Sequence, residues 1–257
     1  MYFDTHAHYD DRAFDEDRDA LLSALPDKGV ELVVLPGCDV LSSRRAIEIA
    51  VRYDYIYAAV GIHPGELAGF KSGDIDIVRK LATHEKCVAI GEIGLDYYWD
   101  DSRKAEQKEL FINQLELALA LDKPVIIHDR EAHADTMEIL FRYPELRGVL
   151  HCFSGSREMA QEILKRGWYL GFDGPVTYKN ARKALEVLEI CPLERILVET
   201  DSPYLSPVPF RGKRCDSSMI AYDAAKIAEV RGITAGEVLA AGCENACRLF
   251  GITLKAE

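Results

Sequence analysis

The chain has 257 residues, with 43 acidic side chains against 31 basic ones and a formal net charge of −12. A composition of 48% hydrophobic and 29% charged residues excludes disordered, collagen-like and coiled-coil chains. The acidic balance excludes an extended duplex-binding surface, which needs many Lys and Arg on phosphates, although a local basic patch or a cation can still receive one.

Taken in chain order, Met1–His6 has neither a basic nor an apolar leader segment, so no secretory signal is expected. No run of about 18 apolar residues predicts a membrane span. The seven cysteines (Cys38, Cys87, Cys152, Cys191, Cys215, Cys243 and Cys247) are scattered and read as reduced thiols of a cytoplasmic protein. The helical spacing of Cys243 and Cys247 favours core packing over a metal site.

Short β-branched runs alternate with helical stretches. The expected strands are Tyr2-Phe3, Glu31–Pro36, Ile56–Gly61, Val88–Ile93, Val125–His128, Gly148–His151, Tyr169–Phe172 and Ile196–Thr200. Between them, Ala105–Leu121 carries Leu110, Phe111, Gln114, Leu115, Ala118 and Leu121 on one stripe, and Ala181–Leu188 and Met219–Arg231 share that period. Alternation of this kind implies parallel strands joined by crossover helices. Eight units in about 250 residues match a (β/α)8 TIM barrel, here as a single domain over residues 1–257. A doubly wound open sheet is the alternative that periodicity leaves open, but no G-x-G-x-x-G follows the first strand.

A barrel enzyme carries its reactive side chains at the C-terminal strand ends. Strand one ends in His6-Ala7-His8, strand three in His63, strand four in Glu92, strand five in His128, strand six in His151 and strand eight in Asp201. Only His84 and His133 fall elsewhere. Side chains two apart on a strand share a face, so His6 and His8 are expected to share one cation. Alone the pair would read as two structural histidines. Joined to His128, His151, Glu92 and Asp201 it suggests two metals with a bridging ligand, of the set Zn, Fe, Ni or Mn. Glu92 is the expected bridge, with glycines on either side for close approach. Asp201 is expected to bind one metal and take the proton of the attacking water, whose acidity a bound cation raises. Glu199 is either an outer partner of a ligand imidazole or part of an ion pair at the barrel floor.

Met1–His8, Gly61–Pro64, Gly91–Tyr97, His128-Asp129-Arg130, His151–Gly155, Glu199–Leu205 and Arg211–Arg214 resemble, in order and spacing, the signature segments of the TatD-type metal-dependent deoxyribonucleases, amidohydrolase-like TIM barrels. The resemblance implies two divalent ions (Mg, Mn or Zn). One is held by His6, His8 and Asp201 and the other by His128 and His151, with Glu92 shared. It implies hydrolysis of single-stranded DNA or RNA from the 3′ end. Relatives in the wider superfamily bridge their metals with a modified lysine on strand four, and this strand has none. Where the family continues from the basic loop with Asn, an acidic residue and Pro, this chain has Cys215-Asp216-Ser217 and lacks that Asn.

His63, Arg130, Arg211, Lys213 and Arg214 are the expected substrate contacts. Arginine grips phosphate oxygens through two donors at once, while the alternative for Arg214 is a solvated basic loop. Tyr97, Tyr98 and Trp99 either stack on an unpaired base or pack locally. The leading function is therefore a metal-dependent phosphodiesterase of single strands. A metal-dependent esterase or amidohydrolase, acting for example on an aminoacyl-tRNA or a lactone, shares the same ligands. A non-catalytic metal-binding protein is disfavoured by six intact ligand-type residues.

Overall fold

The computed structural model describes residues 2–254; Met1, the first residue of the segment Met1–His8, lies outside them. The β-branched runs form eight strands: β1 (Tyr2–Asp4), β2 (Val30–Pro36), β3 (Ile56–Val60), β4 (Cys87–Asp96), β5 (Val125–Arg130), β6 (Gly148–Leu150), β7 (Tyr169–Phe172) and β8 (Ile196–Val198). The helices are α1 (Arg18–Ala24), α2 (Val40–Arg52), α3 (Asp74–Ala82), α4 (Lys104–Ala120), α5 (His133–Leu140), α6 (Arg157–Lys165), α7 (Arg182–Leu188), α8 (Ile220–Arg231) and α9 (Ala235–Phe250). The strands follow one another in the order β1 to β8. This strictly sequential order is that of a (β/α)8 TIM barrel, and it lacks the reversal of strand order that defines a doubly wound sheet. No helix among the described residues is long and apolar enough to cross a membrane.

The described residues pack as two compact units, residues 2–35 with 152–254, and Pro36–His151. In the first, β1 pairs in parallel with β2 (Phe3 opposite Leu32) and β7 with β8 (Leu170 opposite Ile196). Just past β1, the Thr5 amide donates to Val198 O at 3.4 Å, and Ala7 forms a parallel bridge with Ser202. A capping box of Thr234 and Glu237 starts α9, and Gly251, at φ 67°, ends it. Cys243 is buried on α9 among core residues. Asn245, also buried, donates to Leu193 O at 2.9 Å and Ile196 O at 2.8 Å, fixing the entry to β8.

In the second unit β3 pairs with β4, β4 with β5 and β5 with β6, all in parallel. Every residue of β4 is buried, as expected of a strand covered on both faces. It runs three residues beyond the expected end at Ile93, because Gly94, Leu95 and Asp96 continue the ladder opposite His128, Asp129 and Arg130. Two polar residues on the apolar stripe of α4 clamp the loops above it. Gln114 accepts from the Ile62 amide (2.7 Å) and donates to Ile62 O (2.9 Å). Gln107 accepts from the Asp96 amide (2.9 Å) and donates to Asp96 O and Asp100 O (2.9 Å each).

One core feature carries a stability prediction. Asp223 on α8 is fully buried, and neither oxygen has a hydrogen-bond partner among the described residues. Burial first, then the carboxylates of Asp173, Asp4 and Glu199, push its pKa well above the usual range. The folded state thus keeps a proton that the unfolded chain releases above pH about 4, and stability falls as pH rises from there. We expect Asp223→Asn to melt at a higher temperature than the wild type at pH 8, with the gap closing toward pH 4. A tenfold change in acidity between the two states is worth about 1.4 kcal/mol, or roughly 2–4 °C per kcal/mol in a chain of this size. Thermal unfolding of both proteins across that range checks it, and a wild type that is the more stable at pH 8 would refute it.

Candidate metal centre

In the first unit the histidines follow β1 directly. Asp4 accepts hydrogen bonds from the amides of His6 (3.2 Å) and Thr200 (3.1 Å) and from the Thr200 hydroxyl (2.6 Å). Burial pushes its pKa up to about 7 although Ser217, Thr200 and His6 all donate to it. The Asp201 amide donates to His6 O (2.9 Å) and the His8 amide to Ser202 O (2.6 Å). These rungs hold the segments after β1 and β8 side by side. The His6 and His8 Nε2 atoms end 3.1 Å apart, and Asp201 Oδ1 lies 3.7 Å from the first and 3.3 Å from the second. Asp201 sits at φ 53°, a left-handed conformation that Asp tolerates better than most residues. Because β8 stops at Val198 and Asp201 turns left-handed, strand alternation does not place Asp201; the turn does.

In the second unit Glu92 is 3% exposed. Its Oε1 lies 2.8 Å from His128 Nδ1, 2.9 Å from His151 Nε2 and 3.6 Å from His63 Nε2. His128 Nδ1 and His151 Nε2 are 3.4 Å apart. The glycines near Glu92 serve the approach of β5: a Cβ on Gly94 would stand 1.9 Å from His128 O, and one on Gly91 2.7 Å from the Ile126 Cβ. The His63 and His128 rings meet edge to face, with centroids 4.3 Å apart. Burial and the neighbouring His128 hold the His63 pKa down to about 3, so His63 is a neutral imidazole, and its Nδ1 accepts from the Gly65 amide at 2.9 Å.

Sequence reasoning passed over Asp96 as a single residue. Its Oδ2 lies 3.0 Å from His128 Nε2, and its Oδ1 accepts from the amides of Tyr98 (2.9 Å) and Trp99 (3.1 Å). Burial opposes charge on both partners, but their mutual hydrogen bond, with Glu92 on one side and the two amides on the other, outweighs it. The His128 pKa is held above, and that of Asp96 below, the ordinary value. With the Asp96 carboxylate accepting a hydrogen bond from Nε2–H, the neutral His128 ring that would bind a cation presents its Nδ1 lone pair toward Glu92 and His151. A carboxylate behind a ligand imidazole orients metal-binding histidines in this way. Glu199, considered for such a role, accepts from the Cys152 amide (2.6 Å) and the Thr5 hydroxyl (3.2 Å), in space left by Gly171.

The basic loop divides. The Arg211 guanidinium lies 4.5 Å from the centroid of the Tyr178 ring, and Lys213 Nζ is 5.7 Å from that of Phe210; both side chains are exposed. Arg214 is committed elsewhere. Its two terminal nitrogens grip the Asp17 carboxylate at 2.7 and 2.6 Å, one also donates to Ala13 O at 2.8 Å, and the group stacks on Phe14. The fork expected on a phosphate therefore closes on Asp17. In the departing segment, Cys215 is buried, Asp216 caps a short helical turn through the Ser218 amide, and the Ser217 amide donates to the Tyr9 hydroxyl at 2.8 Å. Those residues anchor the loop to the segment after His8. Tyr97 packs locally, its hydroxyl on Asp135 at 2.7 Å and Lys104 over its ring.

Both sets suit a divalent cation. Two imidazole nitrogens 3.1 Å apart suit each other only if one carries a proton, whereas a cation accepts both lone pairs. The ligand atoms of His63, Glu92 and His128 lie within 4.8 Å of one another. Imidazole with carboxylate is a borderline donor set that fits Zn or Mn better than Ca.

The whole chain has relatives. The profile of the TatD related DNase family matches residues 3–251. The uncharacterised metal-dependent hydrolase YabD of Bacillus subtilis is 45% identical over 254 residues, covering 98% of this chain and 100% of that protein. The 3′-5′ ssDNA/RNA exonuclease TatD of Citrobacter rodentium is 34% identical, covering 99% of each. Among solved structures, YjjV, a TatD homologue from Escherichia coli K12, superposes with a TM-score of 0.92 at 33% identity, covering 98% of both chains. A profile match over nearly every residue, at these identities, makes the chain a member of the TatD family of metal-dependent hydrolases.

Proposed function

We propose that the chain, working as one domain, is a 3′-5′ exonuclease of single-stranded DNA or RNA with two divalent cations. His6, His8 and Asp201 would hold one; His128, His151 and Glu92 the other. The observation that carries the reading is the grouping itself. Two imidazoles converge with one carboxylate in each unit, at 3.1–3.7 Å in the first and 2.8–3.4 Å in the second. Bound there, the cations would supply Lewis acidity to the phosphate and acidify the attacking water.

The protein's own groups do the rest. Asp201, with a side chain 15% exposed beside a fully buried His6, is the carboxylate open to water and would accept the proton of the nucleophile. Neutral His63, 3.6 Å from Glu92, has the one ring proton with which to donate to a phosphate oxygen. Arg211 and Lys213 would attract the next phosphate, giving local positive charge to an acidic chain. Free thiols at Cys87, Cys152, Cys191, Cys215 and Cys247 support a cytoplasmic setting.

The test is metal analysis of the purified protein followed by incubation with a 5′-labelled single-stranded oligonucleotide. We expect stepwise shortening from the 3′ end, abolished by a chelator and restored by Mg, Mn or Zn. Hydrolysis of a carboxylic ester or lactone with no shortening of nucleic acid would replace this reading by the esterase one.

A further inference from the structure

Trp99 is the most exposed large hydrophobic side chain among the described residues, at 74%, and its neighbour Tyr98 is 56% exposed. Exposure on a loose loop would mean little, but this turn is pinned. Asp96 accepts from both of its amides, and Gln107 ties down Asp96 and Asp100 on either side of the pair. The rings stand edge to face, centroids 4.9 Å apart at 86°, so they are not stacked face to face on each other. The Arg130 guanidinium lies 4.0 Å from the Tyr98 centroid and 5.4 Å from that of Trp99. It braces the pair as a delocalised cation.

The mounting also joins the aromatics to the chemistry. The carboxylate that accepts from the Tyr98 and Trp99 amides accepts, on its other oxygen, from His128 Nε2. One carboxylate thus mounts the aromatic turn and meets a proposed ligand imidazole. Asp100 and Asp101 come next in the chain, and their charge disfavours a phosphate beside Trp99 while leaving an uncharged π face unaffected. We propose that Tyr98 and Trp99, braced by Arg130, form a stacking platform for an unpaired nucleobase next to the scissile phosphate. The proposal rests on the nuclease reading above and adds to it what selects a single strand: a paired base has no face to offer.

Two measurements test it. Trp99 and the buried Trp168 are the two tryptophans of the chain, so an added base quenches the fluorescence of Trp99 selectively. The metal-loaded protein is titrated with a short phosphorothioate-linked oligothymidylate and with its abasic counterpart. Quenching by the first alone is expected, and it disappears in Trp99→Phe; equal quenching by both overturns the platform. In steady-state kinetics the wild type is expected to favour base-bearing over abasic oligomer through KM. That preference should shrink by about 5- to 150-fold in Trp99→Ala and in Tyr98→Ala, with Trp99→Phe retaining part of it. An unchanged preference in both alanine variants also overturns the proposal. A wild type that shortens no oligonucleotide overturns the nuclease reading, and the quenching comparison still decides whether a base seats on Trp99.

Discussion

Glu92→Gln is expected to lower kcat by about 10³-fold or more while the protein still folds. Its Oε1 is within 3.6 Å of three imidazole nitrogens, those of His128, His151 and His63, in a strand where every residue is buried. The amide keeps the shape but removes the negative charge and turns one acceptor into a donor that faces ring nitrogens. Asp201→Asn should be comparably damaging, and it isolates the carboxylate cleanly because Asn is also at ease at the left-handed φ of 53°. Activity, metal content and thermal unfolding are measured together. Full metal occupancy with activity within tenfold of wild type would remove Glu92 from the chemistry.

The second large effect falls on a residue that touches no cation in the proposed centre. Asp96→Asn should weaken metal affinity by about 10- to 100-fold, read as a rightward shift when activity is titrated with Mn or Zn, with much of the rate recovered at high metal. The cause is the 3.0 Å contact to His128 Nε2. Without a carboxylate there, nothing favours the proton on that nitrogen, and the Nδ1 lone pair is no longer reserved for the cation. An unchanged metal titration would show that His128 is oriented by other means.

The strands were readable because each is a short β-branched run between polar stretches, and seven of them begin and end within two residues of expectation. The ligand-type residues were readable because chemistry at strand ends makes histidines conspicuous among apolar neighbours. What escaped depends on contacts that periodicity does not encode. Ending β4 at Ile93 hid the face that Asp96 presents, since only the ladder with Asp129 and Arg130 extends the strand that far. Gln114 falls on the apolar stripe of α4, yet it is a buried clamp on the loop before His63. A polar residue on an apolar stripe is the available signal, and Gln107, seven positions earlier, repeats it. Arg214 looked like its neighbour Arg211 because nothing local reveals that Asp17 fills its fork across 197 positions of chain.

That β1 hydrogen-bonds with β2 on one side and, past its end, with Val198 on the other also constrains how the protein is made. The Thr5–Val198 contact spans 193 residues. At about 5–20 residues per second of translation, the amino end waits roughly 10–40 s on the ribosome before its partner is synthesised. For roughly the last 2–9 s of that interval, while residues 152–198 are added, all of Pro36–His151, with its four parallel strands, has already been translated. The order of birth on the ribosome is thus the reverse of the order of completion: the stretch that carries His6 and His8 is translated first and receives its final neighbours last.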